Sequence, residues 1–143
     1  MQASSWKVED LVPHRPPMLL IDAIEEVDME APRLAASFLG REEWRGNWFA
    51  LEYMAQAAAA LSGAMDRAER PSASPRPGLL LGTKRLDLGI AEFVPGRRYV
   101  VEAVRECEDG EAAVFSCTVR AAGRDQEPGE CSAAITAFRP REA

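Results

Sequence analysis

Histidine is almost missing from this chain: His14 is the single one in 143 residues. The three cysteines, Cys107, Cys117 and Cys131, are odd in number and lack metal-ligand spacing. Together these shortages argue against a zinc site, so no metal and no cofactor is expected. Reduced, buried thiols in a cytoplasmic protein are the expectation instead. Basic charge is also short, since 17 Lys and Arg against 23 Asp and Glu leave a formal net charge of −6. Duplex binding draws its affinity from clustered cations on phosphates, so nucleic acid is not an expected partner. The densest basic pairs, Lys84-Arg85 and Arg97-Arg98, make no polybasic membrane patch. An acidic surface also repels an acidic carrier protein unless that partner docks on a local basic patch. No run of about 18 apolar residues exists. The richest stretch, Ala57 to Leu61, is interrupted by Gln56, Ser62 and Gly63. Met1 to Lys7 lacks the apolar core of a secretory signal. No internal repeat, Gly-rich phosphate loop, serine-nucleophile motif or Cys–His signature stands out.

What is present is ordinary globular material, 47% hydrophobic and 28% charged, enough for a single domain over residues 1–143 with a real core. Trp6 to Val12 is expected to form one short helical turn, capped by Ser5 and stopped at Pro13. Met18 to Val27 and Arg33 to Leu39 read as strands, with Glu30-Ala31-Pro32 turning between them. The strongest helix runs from about Ala50 to Arg67, with Asn47 as its cap and Pro71 closing the segment. Residues 70–77 are loop by composition. Leu79 to Leu88, Arg98 to Cys107, Ala112 to Ala121 and Cys131 to Phe138 are the later strands, and Gly123 to Gly129 is a loop. Asp109-Gly110 reads as a two-residue hairpin turn, which would place Val104 opposite Phe115 and Val100 opposite Val119.

One long helix among some six strands is an α+β layout. Met54, Ala58, Leu61 and Met65 fall on one side of that helix, as large residues gripping a sheet would. Glu52, Gln56, Ala59, Ala60 and Gly63 gather on the opposite side. A helix apolar nearly all round is a buried helix, so the Glu52 side needs its own cover, such as a second subunit or a bound acyl chain.

Glu52 is the sharpest chemical feature. The helix N-terminus favours its carboxylate by roughly 0.3–2 kcal/mol, whereas burial among Ala and Met favours the protonated form. Either it is a general acid held neutral by burial, or it complements the helix dipole in solvent. Gln56, one turn on, either orients that carboxyl, holds a polar group of a substrate, or bonds a neighbouring strand. His14, stiffened by Pro13, Pro16 and Pro17, is either a general base or a structural hydrogen-bonder. Asp22, on an otherwise apolar stretch, is expected to pair with Arg15 or His14.

Two segments carry a resemblance. Leu11-Val12-Pro13-His14-Arg15-Pro16-Pro17-Met18-Leu19-Leu20-Ile21-Asp22 resembles the opening of bacterial 3-hydroxyacyl-ACP dehydratases of the FabZ type. Leu51-Glu52-Tyr53-Met54-Ala55-Gln56-Ala57 resembles their central-helix motif, whose acidic residue is catalytic. Leu81-Gly82-Thr83-Lys84-Arg85-Leu86 and Phe93-Val94-Pro95-Gly96 fit the same pattern. The combination looks most similar to the dehydratase-like proteins of aryl-polyene biosynthesis clusters. This resemblance implies a hot-dog fold, a long central helix wrapped by a curved antiparallel sheet, paired as a homodimer or as a heterodimer with a hot-dog homologue. It implies a lyase acting on an acyl-ACP or acyl-CoA thioester, removing water from a 3-hydroxyacyl group, with an acyl tunnel beside the helix. Only Glu52 carries over as the implied catalytic acid; His14, a catalytic candidate on its own chemistry, matches a histidine of the family's opening motif that is not its usual base, and Gln56 and Gly63 are assigned to substrate binding. One departure stands out. The family's catalytic histidine lies in a Gly-His-Phe-Pro-Gly segment before the helix, and Phe38 to Asn47 holds none. Either His14 is recruited, or a partner chain lends its histidine, or the chain has lost chemistry and serves as a non-catalytic subunit. A hot-dog thioesterase is the other enzymatic reading.

Overall fold

In the computed structural model, residues 2–3, 6–123 and 129–140 are described. The elements run β1 (Gln2–Ala3), α1 (Val8–Leu11), β2 (Ala23–Asp28), β3 (Arg33–Leu39), α2 (Ala50–Glu69), β4 (Leu79–Leu88), β5 (Arg98–Asp109), β6 (Ala112–Ala121) and β7 (Glu130–Phe138). Two short 3-10 turns, Glu42–Trp44 and Asn47–Phe49, lead into α2. The strands form one antiparallel sheet in the order β1-β2-β3-β5-β6-β7-β4. The sheet wraps α2, and this is the hot-dog architecture.

The core is built where α2 meets the sheet. Met54, Ala58 and Leu61 are buried in it, as their spacing predicts, together with Val101, Ala103, Phe115, Val119 and Ile135. Tyr53 stacks on Phe38, ring centroids 3.6 Å apart, and Phe93 and Tyr99 complete an aromatic cluster under the start of the helix. Burial pushes the Tyr53 phenol well above its ordinary range.

Several expectations are corrected. The first helix is Val8–Leu11 with Lys7 before it, and no side chain caps it; Ser5 lies outside the described residues. Asn47 does not cap α2. The preceding 3-10 turn puts Phe49 at that position, and the Asn47 amide donates instead to the Ile90 carbonyl at 3.0 Å. Residues 18–22 are not strand. The Met18 carbonyl and the Leu20 amide are bonded by a helix side chain, the Asp22 amide donates to the Ser37 carbonyl at 2.8 Å, and regular pairing starts at Ala23. The β5–β6 hairpin turns at Gly110-Glu111, since Asp109 pairs with Ala112 and Gly110 has φ +64°. A bulge between Arg105 and Cys107 shifts the register again, so Val101 faces Val119 and Arg105 faces Phe115. Of the three thiols Cys107 is exposed, whereas Cys117 and Cys131 are buried. Of the loop expected over Gly123 to Gly129, residues 124–128 lie outside the described residues.

Candidate active site

Gln56 is the centre of the construction. Completely buried, it spends its amide on three partners. Its carbonyl accepts from the Leu20 amide at 2.9 Å, and its NH2 donates to the Met18 carbonyl and to Glu52 Oε2, both at 2.8 Å. One helical side chain thereby does for residues 18–20 what a neighbouring strand would have done, and it orients the Glu52 carboxyl at the same time. Of the readings left open for Gln56, its bond to Glu52 fits the orienting one, and the expected bond to a neighbouring strand goes instead to the non-strand segment 18–20. No contact with the groove described below falls to it.

The segment that Gln56 straps down carries His14. Arg15 shapes it from within, donating to the carbonyls of Val12 at 2.9 Å, His14 at 2.7 Å and Glu9 at 3.2 Å. The result brings His14 Nε2 to 3.7 Å from Glu52 Oε2, across 38 positions of sequence. That is too long for a direct hydrogen bond, so the two groups flank a common point rather than consume each other. The His14 side chain is 27% exposed and that of Glu52 36%, both half-buried. His14 Nδ1 is buried and has no hydrogen-bond partner among the described residues. Asp22 pairs with neither Arg15 nor His14. It accepts from Arg41 and from the Leu39 amide, tying residue 22 to β3.

The cover expected over the small-residue side of α2 comes partly from this same chain. Gly63 lies against the backbone of α1: a Cβ there would sit 2.1 Å from the Leu11 carbonyl oxygen. Its assignment to substrate binding therefore finds no support in the geometry. Its place is a packing contact, and it lines no part of the groove. What stays open is the next flank of the helix. Glu52, Ala55, Ala59 and Ser62 form one wall of a groove of about 350 Å³, headed by Pro13 and His14. Phe115, Ile135 and Ala137 line it from the sheet, Leu79 and Leu80 from β4, and Arg76, Arg105 and Arg139 bring charge.

Beside the groove, β4 is one edge of the sheet, with Leu79, Leu80, Leu81 and Leu86 exposed. Unpaired strand groups beside bare leucines are a surface that calls for a partner strand. Among the described residues no cluster of His, Cys, Asp and Glu is arranged to hold a metal ion, and no helix is long and apolar enough to cross a membrane.

Residues that sequence reasoning missed include Arg41 and Asp66, the last held by Arg139 at 2.7 and 3.1 Å. Neither carries a local signal, and Arg15, expected as a partner of Asp22, bonds its own segment instead.

Among solved structures, the chain is similar to the dehydratase heterocomplex ApeI:P from Xenorhabdus doucetiae. The TM-score is 0.80 at 21% identity, over 97% of this chain and 94% of that one. It is also similar to a hypothetical thioesterase with coenzyme A from Streptococcus pneumoniae TIGR4 (TM-score 0.58, 10% identity, 82% and 84% covered). A third likeness is to AziG of S. sahachiroi (TM-score 0.57, 18% identity, 92% and 99% covered). At these identities the likeness establishes the fold. No curated protein matches the chain. The family described as ApeP-like, ApeP dehydratase, matches residues 6–143. With that match spanning nearly its whole length, the chain belongs to the ApeP-like dehydratase family.

Proposed function

We propose that this chain removes water from a 3-hydroxyacyl thioester to give the 2-enoyl thioester, as one subunit of a paired hot-dog dehydratase. The observation that carries the reading is the meeting of Glu52 and His14, 3.7 Å apart, at the head of a groove whose next wall positions are Ala55, Ala59 and Ser62. A thioester seated there has its reacting carbons beside an acid and an imidazole, and its hydrocarbon tail along methyl groups.

In this mechanism a base takes the proton from the carbon next to the thioester carbonyl. Glu52 gives its proton to the departing 3-hydroxyl, which leaves as water. Glu52 lies in the first turn of α2, so a thioester carbonyl beside it would lie near the positive end of the helix, which stabilises a developing enolate oxygen. Gln56 holds the acid in place without touching the substrate. His14 Nε2 is the base that this chain itself can offer. Among the described residues its Nδ1 has no acceptor to fix a catalytic tautomer, which favours a second polypeptide as the source of the working histidine. The solved ApeI:P heterocomplex supports pairing of this kind, and the bare leucine edge of β4 is where the second chain would join.

The test uses the purified chain, alone and coexpressed with a histidine-bearing hot-dog homologue, on a 3-hydroxyacyl thioester. Enoyl absorbance reads elimination, and free thiol reads hydrolysis. Elimination in the coexpressed pair, lost in Glu52→Gln with unchanged folding, is the expected result. A Glu52→Gln pair as fast as the parent removes Glu52 from the chemistry, and thiol release without enoyl product replaces the dehydratase with a thioesterase.

A further inference from the structure

The open flank of α2 ends abruptly. Glu52, Ala55, Ala59 and Ser62 recur at helical spacing along one stripe, and Asp66 is the next position on it. The first four line the groove, and Asp66 does not. Its carboxylate is turned into a charged knot: Arg139 holds it with two nitrogens, at 2.7 and 3.1 Å, and Arg76 Nε lies 3.6 Å away. Arg76 is fastened in turn by a 3.2 Å bond to the Pro140 carbonyl. The three side chains are largely buried, 16% exposed for Asp66, 19% for Arg76 and 23% for Arg139. Arg76 and Arg139 also line the groove. At the usual rise per residue, Ser62 is about 15 Å from Glu52 along the helix axis and Asp66 about 21 Å.

We propose that the Asp66–Arg139–Arg76 knot is the end wall of the acyl groove and sets the longest acyl chain the site accepts; this rests on the dehydratase reading for what lies at the other end. A hydrocarbon tail gains by every methylene it places against Ala55, Ala59, Phe115 and Ile135. Past Ser62 it meets largely desolvated charges, an Asp66–Arg139 pair held by two bonds with Arg76 beside it. Further extension would have to part a bidentate ion pair and leave buried charge unpaired, a cost no added methylene offsets. The residue acting as a specificity determinant is Arg76, because it reaches the knot from the 70–77 loop and can be removed without touching the Asp66–Arg139 pair.

The experiment measures kcat/KM on 3-hydroxyacyl thioesters of increasing chain length. It uses the chain in its active assembly, as wild type, Arg76→Ala and Asp66→Asn. In parallel, displacement of a fluorescent fatty-acid probe by saturated fatty acids of the same lengths reads binding without chemistry. In the wild type both readouts should rise with length and then fall by about tenfold over one or two further methylenes. In both variants the ratio of long-chain to short-chain values should rise by about tenfold. Because that ratio is taken within one variant, it does not depend on the fraction folded. A length profile identical in all three proteins overturns the end wall. Length-dependent binding that shifts in the variants, with no enoyl product from any thioester, sinks the dehydratase reading alone and leaves the wall standing. Absence of acyl binding at every length overturns both.

Discussion

Gly63 offers a test in which the sign of the effect, not only its size, is at stake. In a solvated helix interior, Gly→Ala stabilises by roughly 0.8–1 kcal/mol, because alanine loses less backbone entropy. Here the added Cβ would sit 2.1 Å from the Leu11 carbonyl oxygen and 2.9 Å from both Leu11 C and Cα. An ordinary carbon–oxygen contact is roughly 3.3 Å, so α1 must retreat by about an ångström. Neither side can yield as a flexible side chain would, since one is helix and the other backbone. α1 is also anchored, with Val8 and Leu11 buried beneath it. Overpacking of this kind costs about 1–3 kcal/mol, and backbone on both sides puts it at the upper end, about 2–3, so after the roughly 1 kcal/mol that alanine returns Gly63→Ala should be destabilised by about 1–2 kcal/mol net. Urea denaturation followed by circular dichroism should show a lowered midpoint at unchanged m-value. A variant as stable as wild type, or more so, would refute the close approach of the two helices. It would also reopen Gly63 as a residue kept small for a substrate.

Other outcomes follow from the same geometry. Gln56→Leu strands the buried Leu20 amide, a loss of about 1–3 kcal/mol. Hydrogen exchange at Leu20 should accelerate ahead of global unfolding, and an unchanged exchange rate would show that the amide does not hold the strap. Burial pushes the Cys117 thiol up to about 12. Its folded value therefore lies above the unfolded one near 9. The stability tied to the protonated thiol is whole below about pH 9 and is lost as pH rises toward 12, at up to about 1.4 kcal/mol per pH unit. Between pH 8 and 10 the wild type should lose roughly 1 kcal/mol more than Cys117→Ala by denaturant titration. Parallel curves would show that the thiol is not the titrating group.

Much of the architecture was readable because it rests on local, periodic signals. The apolar repeat of Met54, Ala58 and Leu61 marks a helix that must be wrapped, and alternation with turn residues marks β3 to β7. Where two local solutions compete, the pattern failed. Asp109-Gly110 and Gly110-Glu111 are both plausible hairpin turns around one glycine, and cross-strand packing chose the second. Asn47 is a good cap by composition, but the 3-10 turn and the Ile90 carbonyl claimed its side chain. Met18 to Asp22 looks like strand because it is apolar and extended. Two of its backbone bonds, at the Met18 carbonyl and the Leu20 amide, end on Gln56, which no window around residue 20 contains.

Sequence alone was enough for the family likeness and for the placement of Glu52 in the first turn of a small-residue helix, which is a property of a few consecutive positions. Bringing His14 to that acid, closing Gly63 under Leu11 and knotting Asp66 with Arg139 were decisions of the tertiary structure. Each joins segments 38 to 73 residues apart through contacts of one or two atoms. Such contacts leave no periodicity behind, because nothing local in the chain distinguishes a partnered histidine or arginine from a solvated one.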